Sequence, residues 1–329
     1  MGKSRTIPET FTTGPRQTFM ILKMICLPMA ILASQAALGQ QHAIFKSLDR
    51  GLSWAKAGAI FPGNPRINSF GATTEKIFAG TDAGIYSSSD GGQTWQKTSV
   101  TARTVSFVAS GGTVYAGTQT AGLLTSRDNG ATWTPISGLA SKNIRSLLAS
   151  EGQLFAGTDS EGVMVSSDQG VTWRAQNAGL PPFRQIFAMA RVDDTIFAAL
   201  YAKGLYARSK TDSRWSEAGK VKPLELAATG GTLSVGHNPG GIYWSEKPKS
   251  STWTKSTGDF GPGAPVWELA SGDNFVLAGV ADGIFRSDDA GRTWSRMQRG
   301  LPAKCPAVSF LVLGNTIYAS VVITASGQE

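Results

Sequence analysis

Short runs rich in Val, Ile, Phe, Tyr and Thr, set apart by Gly, Asp, Asn and Ser, recur along most of the chain. Residues 66–98 hold four of them: RINSF, KIFAGT, GIYSSS and TWQKT, separated by TTEK, DAG and DGGQ. β-Branched and aromatic residues fit a pleated strand, and the intervening residues are those that turn a chain. The stretch predicts four short antiparallel strands.

The same unit returns. Trp54, Trp95, Trp133, Trp173, Trp215, Trp253 and Trp294 stand 41, 38, 40, 42, 38 and 41 residues apart. Ahead of most of them lies Ser-x-Asp-x-Gly-x-Thr-Trp, complete at Ser88–Trp95, Ser126–Trp133, Ser166–Trp173 and Ser287–Trp294. At Ser47–Trp54 a serine, Ser53, replaces the threonine. Four-stranded units at a period near forty residues predict the blades of a β-propeller. The C-terminal AVSFLVLGNTIYAS supplies only the first two strands of a unit, and AIFKSLDRGLSW, beginning at Ala43, supplies only the last two. The expected fold is therefore all-β: a seven-bladed propeller of four-stranded antiparallel blades, closed by N- and C-terminal strands that share one blade. Closure of this kind removes both exposed sheet edges.

A repeated motif is a poor place for a unique site, because a stacked architecture needs the same unit everywhere. The Asp and Ser of each hairpin are expected to bond the turn's own backbone. Its Gly supplies a positive φ, and its Trp buries a ring. Asp49, Trp54, Asp90, Trp95, Asp128, Trp133, Asp168, Trp173, Asp289 and Trp294 are thus read as structural. One carboxylate per hairpin gives calcium no convergent set of oxygens.

Strand parity puts these hairpins on one face of the disc and the blade-to-blade connections on the other. On that second face Arg66, Arg103, Arg145, Arg184 and Lys222 recur near the entry to successive first strands, as a cationic collar for carboxylates, sulfated sugars or an acidic protein surface, or as solvated loop ends. The units ending at Trp215 and Trp253 have lost the motif and carry Tyr201, Lys203, His237, Asn238 and Trp244, followed by Trp267 and Glu268. Phe183, Phe260 and Trp267 are candidates for stacking on a sugar or a partner, with buried packing as the default. Glu225 and Glu268, at equivalent places on adjacent first strands, are the best carboxylate pair for glycoside hydrolysis; pairing with the collar is the alternative.

Composition narrows the setting. The formal charge is +8 over 329 residues. Lys3, Arg5, Arg16, Lys23 and Glu9 fall in the first 39 residues, so the remainder carries an excess of five. No basic run or stripe marks a nucleic-acid binder. FMILKMICLPMAILASQAALGQ reads as a secretory signal, with an apolar stretch from Met24 to Ala33. The expected organisation is a signal over residues 1–39, with a start at Met20 as an option, and a propeller over 40–329. Cleavage after Ala37-Leu38-Gly39 or after Ser34-Gln35-Ala36 would release an exported, soluble monomer, and an uncleaved anchor is the rival. Cys26 lies in the leader, which leaves Cys305 alone as a small buried filler. With two histidines, His42 and His237, a histidine-rich metal site is excluded, and no metal or cofactor is expected.

The eight-residue pattern resembles the Asp-box, or BNR repeat, of sialidases, xyloglucanase-type glycosidases, sortilin-type receptor domains and photosystem II assembly factors. The resemblance covers residues 43–329 and implies the fold much more than any one activity. A sialidase would carry Arg-Ile-Pro near the mature N-terminus and six blades; this chain has PRIN at Pro65–Asn68 and seven units. The assembly factors have Gly-Trp-x-Val-Gly where this chain has IFAGT and LFAGT, so the resemblance implies no photosynthetic role. The expected function is binding or assembly with a protein or anionic glycan through the face opposite the hairpins. A sialidase-like or other glycan-acting hydrolase is the alternative.

Overall fold

Seven four-stranded antiparallel sheets make up the structure, a computed structural model that describes residues 40–58, 61–182, 184–237, 240–250, 252–261 and 263–324. The expected signal over 1–39, with Cys26, and the expectations for Phe183 and Asn238 lie outside the described residues. In blade 1 the strands are Ile67–Ala72, Ile77–Thr81, Gly84–Ser88 and Gln96–Lys97, paired in that order. Blades 2 to 6 follow the same plan from Thr104, Ile144, Ile186, Pro223 and Val266. Blade 7 is assembled from both ends of the chain: Ala307–Leu313, Thr316–Thr324, Gln40–Ser47 and Ala55–Lys56. There Ala43 pairs with Val321 and Ser47 with Ile317. The seven-bladed expectation and its shared closing blade both hold.

The first strands neighbour one another around the ring, and Ala307–Leu313 meets Ile67–Ala72 to complete it. They form the inner wall. Each space between adjacent blades holds its own apolar cluster. Phe78 and Ile85 of blade 1 meet Val114 and Leu124 of blade 2, and the closing interface packs Ile44 and Tyr318 on Ile67 and Phe70. A fully buried Phe or Ile in such a cluster contributes roughly 1.5–3 kcal/mol.

Two details differ from the sequence reading. The fourth strand is two residues, Gln96–Lys97, and Thr94 and Trp95 belong to the turn. Both are engaged there: Asp90 accepts from the Thr94 amide at 2.9 Å, and the Trp95 indole donates to the Gly92 carbonyl at 3.2 Å. The first strand of every blade also carries a bulge after its first residue, as where Ile67 pairs with Thr81 but Ser69 with Gly80. The extra residue re-aims whatever follows it.

The hairpins are mortar. Ser88 Oγ accepts from the Gly92 amide at 2.9 Å, and the arrangement repeats at Ser47, Ser126, Ser166 and Ser287. Each aspartate is saturated by its own turn, which holds Asp49, Asp128 and Asp168 down at about 2 and lowers Asp90 and Asp289 as well. Trp54 and Trp294 are buried, while Trp95, Trp133 and Trp173 are half-buried. Each hairpin also grips the blade before it: the Tyr115 hydroxyl of blade 2 donates to the Gln169 carbonyl of blade 3 at 2.6 Å. Gly130 has φ +77°, and a Cβ there would stand 2.2 Å from the Phe78 ring of blade 1.

Candidate functional site

Because antiparallel strands alternate direction, the inter-blade connections and the loops between second and third strands share one face, the linker face. Its loops carry about two basic residues for each acidic one. On the hairpin face acids outnumber bases by about three to two.

The bulge residues Asn68, Val105, Arg145, Phe187, Leu224, Trp267 and Val308 stand at the linker-side end of the inner wall. One residue deeper lies a second ring. Ser69, Ser106, Ser146 and Ser309 occupy it in four blades and Ala188 in a fifth; Glu225 and Glu268 fill it in blades 5 and 6, opposite Gly236 and Gly279. A carboxylate replacing a hydroxyl in so crowded a position is disfavoured as an ion. Burial pushes Glu268 up to about 8. Burial first, and the neighbouring Glu268 second, push Glu225 well above the carboxylate range. Glu268 thus acts on Glu225 from the equivalent place on the next blade, and among the described residues no cation contributes to the shift of either carboxyl. The reading in which the two glutamates pair with the collar is not what forms.

The collar is corrected in the same way. Arg66, Arg103 and Lys222 share one register, immediately before the strand; Arg145 sits in a bulge and Arg184 one residue earlier, so the five are not equivalent. Two are committed locally: Arg103 pairs with Asp82 at 3.0 Å, and Arg145 with Asp159. Arg184 donates to the Pro181 carbonyl at 3.3 Å. Arg66 lies near His42, whose pKa burial and this charge lower to about 4. Lys222 is exposed.

Aromatic groups gather on the same arc. The Arg145 guanidinium lies 4.6 Å over the Phe187 ring, and Phe187 stacks on Tyr201 with centroids 5.1 Å apart. Trp267 is half-buried at the rim of blade 6. His237 lies 4.9 Å from Tyr243, and burial, then Lys222 and Lys255, lower its pKa. Phe260, by contrast, is buried against Phe285 at 4.8 Å and belongs to the core. Trp244 lies under the Arg292 guanidinium at 4.7 Å. Phe187 was missed by the sequence reading; its one signal is its alignment with Arg145, visible only once the bulge is known. Cys305 is a buried free thiol raised to about 11 by burial, a packing residue. Among the described residues no cluster of three or more His, Cys, Asp or Glu could hold a metal, and no helix is long and apolar enough to cross a membrane.

Comparison with known proteins places this geometry. YCF48 from Cyanidioschyzon merolae superposes with TM-score 0.60 at 15% identity, covering 80% of this chain and 97% of that one. A YCF48 bound to D1 peptide gives 0.62 at 18%, covering 78% and 93%. The GH74 enzyme of Niastella koreensis gives 0.59 at 13%, covering 82% of this chain and 54% of the enzyme. At these identities the likeness is one of fold. No curated protein matches the chain. Residues 23–138 and 108–230, together more than half of the sequence, match the DUF6242 beta propeller domain. The chain belongs to the DUF6242 β-propeller domain family.

Proposed function

We propose that the protein is an exported, non-catalytic propeller that holds a protein or anionic glycan partner on its linker face. The observation that carries this reading is the difference between the two faces. The hairpin face is closed by turns saturated from within, read as Asp-boxes of the BNR type. The linker face combines a basic excess with the half-exposed Phe187, Tyr201 and Trp267. Charge steers a partner and aromatic surface anchors it. Export rests on the leader sequence, and a solved propeller of the same fold, YCF48, is bound to D1 peptide.

Hydrolysis is the second reading, because Glu225 and Glu268 stand at equivalent positions on neighbouring first strands and one acts electrostatically on the other. It requires one carboxylate ionised as nucleophile or base while the other stays protonated. Burial raises both carboxyls, Glu268 to about 8, which works against the ionised member that the reaction needs. A glycan panel assayed with wild type and the Glu225→Gln/Glu268→Gln variant decides between the readings: binding predicts no turnover by either, and turnover lost in the variant would restore the enzyme. For the binding reading, cross-linked capture from the exported fraction is compared between Lys203→Glu/Lys222→Glu and the hairpin-face control Lys247→Glu/Lys249→Glu. Loss is expected in the first alone; equal capture by both would overturn the face assignment.

A further inference from the structure

Blade 5 departs from the repeat at both ends of one sheet. Its hairpin, residues 245–253, lacks the Ser-x-Asp-x-Gly pattern, and its second strand ends in His237 where blades 1 to 3 have Thr81, Thr118 and Thr158. Those threonines are spent on their loops. Their hydroxyls donate to the carbonyls of Gly84, Gly122 and Gly162 at 2.9, 2.8 and 3.0 Å. In blade 5 the backbone does this alone, the His237 amide donating to the Gly241 carbonyl at 3.0 Å. The imidazole is released from that duty and lies against Tyr243.

Four strands deliver four polar groups to the same linker-side edge. Lys222 immediately precedes Pro223, the pairing partner of His237, and Tyr243 pairs with Lys255. Lys222 and Lys255 are the charged groups that act on the imidazole, and both are exposed. Elsewhere on this face Arg103, Arg145 and Lys142 each have a carboxylate partner, in Asp82, Asp159 and Glu161. Among the described residues neither Lys222 nor Lys255 forms an ion pair. Lys222 at the first strand and Lys255 on the fourth thus flank His237 and Tyr243, and an anion lodged near two uncompensated cations gains charge-assisted hydrogen bonds.

We propose that the linker-side edge of blade 5 binds an oxyanion, the sulfate or carboxylate group of a ligand, between Lys222 and Lys255, with His237 and Tyr243 as hydrogen-bonding neighbours. The inference rests on the linker face as the binding face and gives one sector of it a ligand chemistry. The chain has two histidines, and His42 lies in blade 7 as an internal reference. Imidazole NMR signals are followed on the full chain while sodium sulfate replaces chloride at constant ionic strength. His237 is expected to shift saturably and His42 to stay, with the apparent Kd weakened about tenfold or more by Lys222→Ala/Lys255→Ala, as loss of charge-assisted bonds implies. An unmoved His42 signal reports that the variant is folded, and the two single variants serve if the double one is not. No saturable shift at His237, or the same shift in the variant, overturns the proposal. Competition by a sulfated disaccharide or by a glutamate-rich peptide identifies the source of the anion. Sulfate binding that neither displaces would reduce the site to an inorganic-ion site and sink the ligand assignment. Partner capture is read separately, so sulfate binding with no capture condemns the proposed function and leaves this site standing.

Discussion

Glu225 and Glu268 occupy the same register on neighbouring inner strands, at a position that four other blades give to serine. A carboxyl whose folded pKa lies above its unfolded value contributes stability fully below the unfolded value and loses it as pH rises through the folded one. For Glu268 the window runs from the ordinary 4.5 to about 8, and Glu225 acts in the same direction. Urea unfolding should show stability falling across that window, and Glu268→Gln should flatten the slope and be the more stable protein at pH 8, by a few kcal/mol at most given about 1.4 kcal/mol per pK unit. A wild-type profile already flat from pH 5 to 8 would contradict the upward shifts.

Gly130 should tolerate no side chain. Its φ of +77° strains any other residue, and a Cβ would enter the Phe78 ring at 2.2 Å. Gly138 has an ordinary φ, and a Cβ added there would meet nothing within 4 Å. Gly130→Ala is expected to cost about 1–3 kcal/mol, on the scale of a residue forced into a sparsely populated backbone region, and Gly138→Ala close to nothing. Thermal melts of the two variants side by side make the comparison; equal melts would deny the hairpin its grip on the preceding blade.

The fold was legible because three independent patterns agreed: the tryptophan period, the hairpin motif and the two half-units that complete each other. The site was legible only in part. Glu225 and Glu268 stood out because their equivalents are Ser69, Ser106, Ser146, Ala188 and Ser309. The bulge in each inner strand has no residue signature, so Arg145 and Arg184 looked equivalent to Arg66 and Arg103 when they are not. Ion pairing was hidden for a different reason. Asp82 belongs to the loop of blade 1 and Arg103 to the entry of blade 2, and only their meeting in space takes Arg103 out of the collar.

Acid should loosen the hairpins before it reaches the cores. Asp49, Asp128 and Asp168 sit at about 2, below the ordinary 3.8, because side-chain hydroxyls and turn amides hold their ionised forms. The stability they supply is complete above about 3.8 and disappears as pH falls through 2. Asp128→Asn keeps the shape but gives up the ionised acceptor, so its melting temperature should lie below wild type at pH 6 and converge with it toward pH 2. A constant gap across that range would assign the effect to shape alone.

Ring closure should be the step on which solubility depends. Phe45 is 5% exposed in the strand contributed by the N-terminal end, where it pairs with Ala319 and packs beside Phe275, Leu277 and Phe310. Replacing it by Ala removes a core aromatic, which costs about 3–5 kcal/mol, and the loss falls on the one sheet whose strands come from opposite ends of the chain. Opening that sheet bares the edge of Thr316–Thr324 and its row of unpaired backbone groups, a template for pairing with other copies. Phe197→Ala, in blade 4, removes a ring of similar burial from a sheet that is continuous in sequence. The two variants should lose similar free energy in urea, yet Phe45→Ala should form far more sedimentable aggregate at mild temperature, because its partial unfolding exposes an edge and that of Phe197→Ala does not detach a chain end. Equal aggregation at equal stability would show that closure by the terminal strand is no weaker a joint than any other blade.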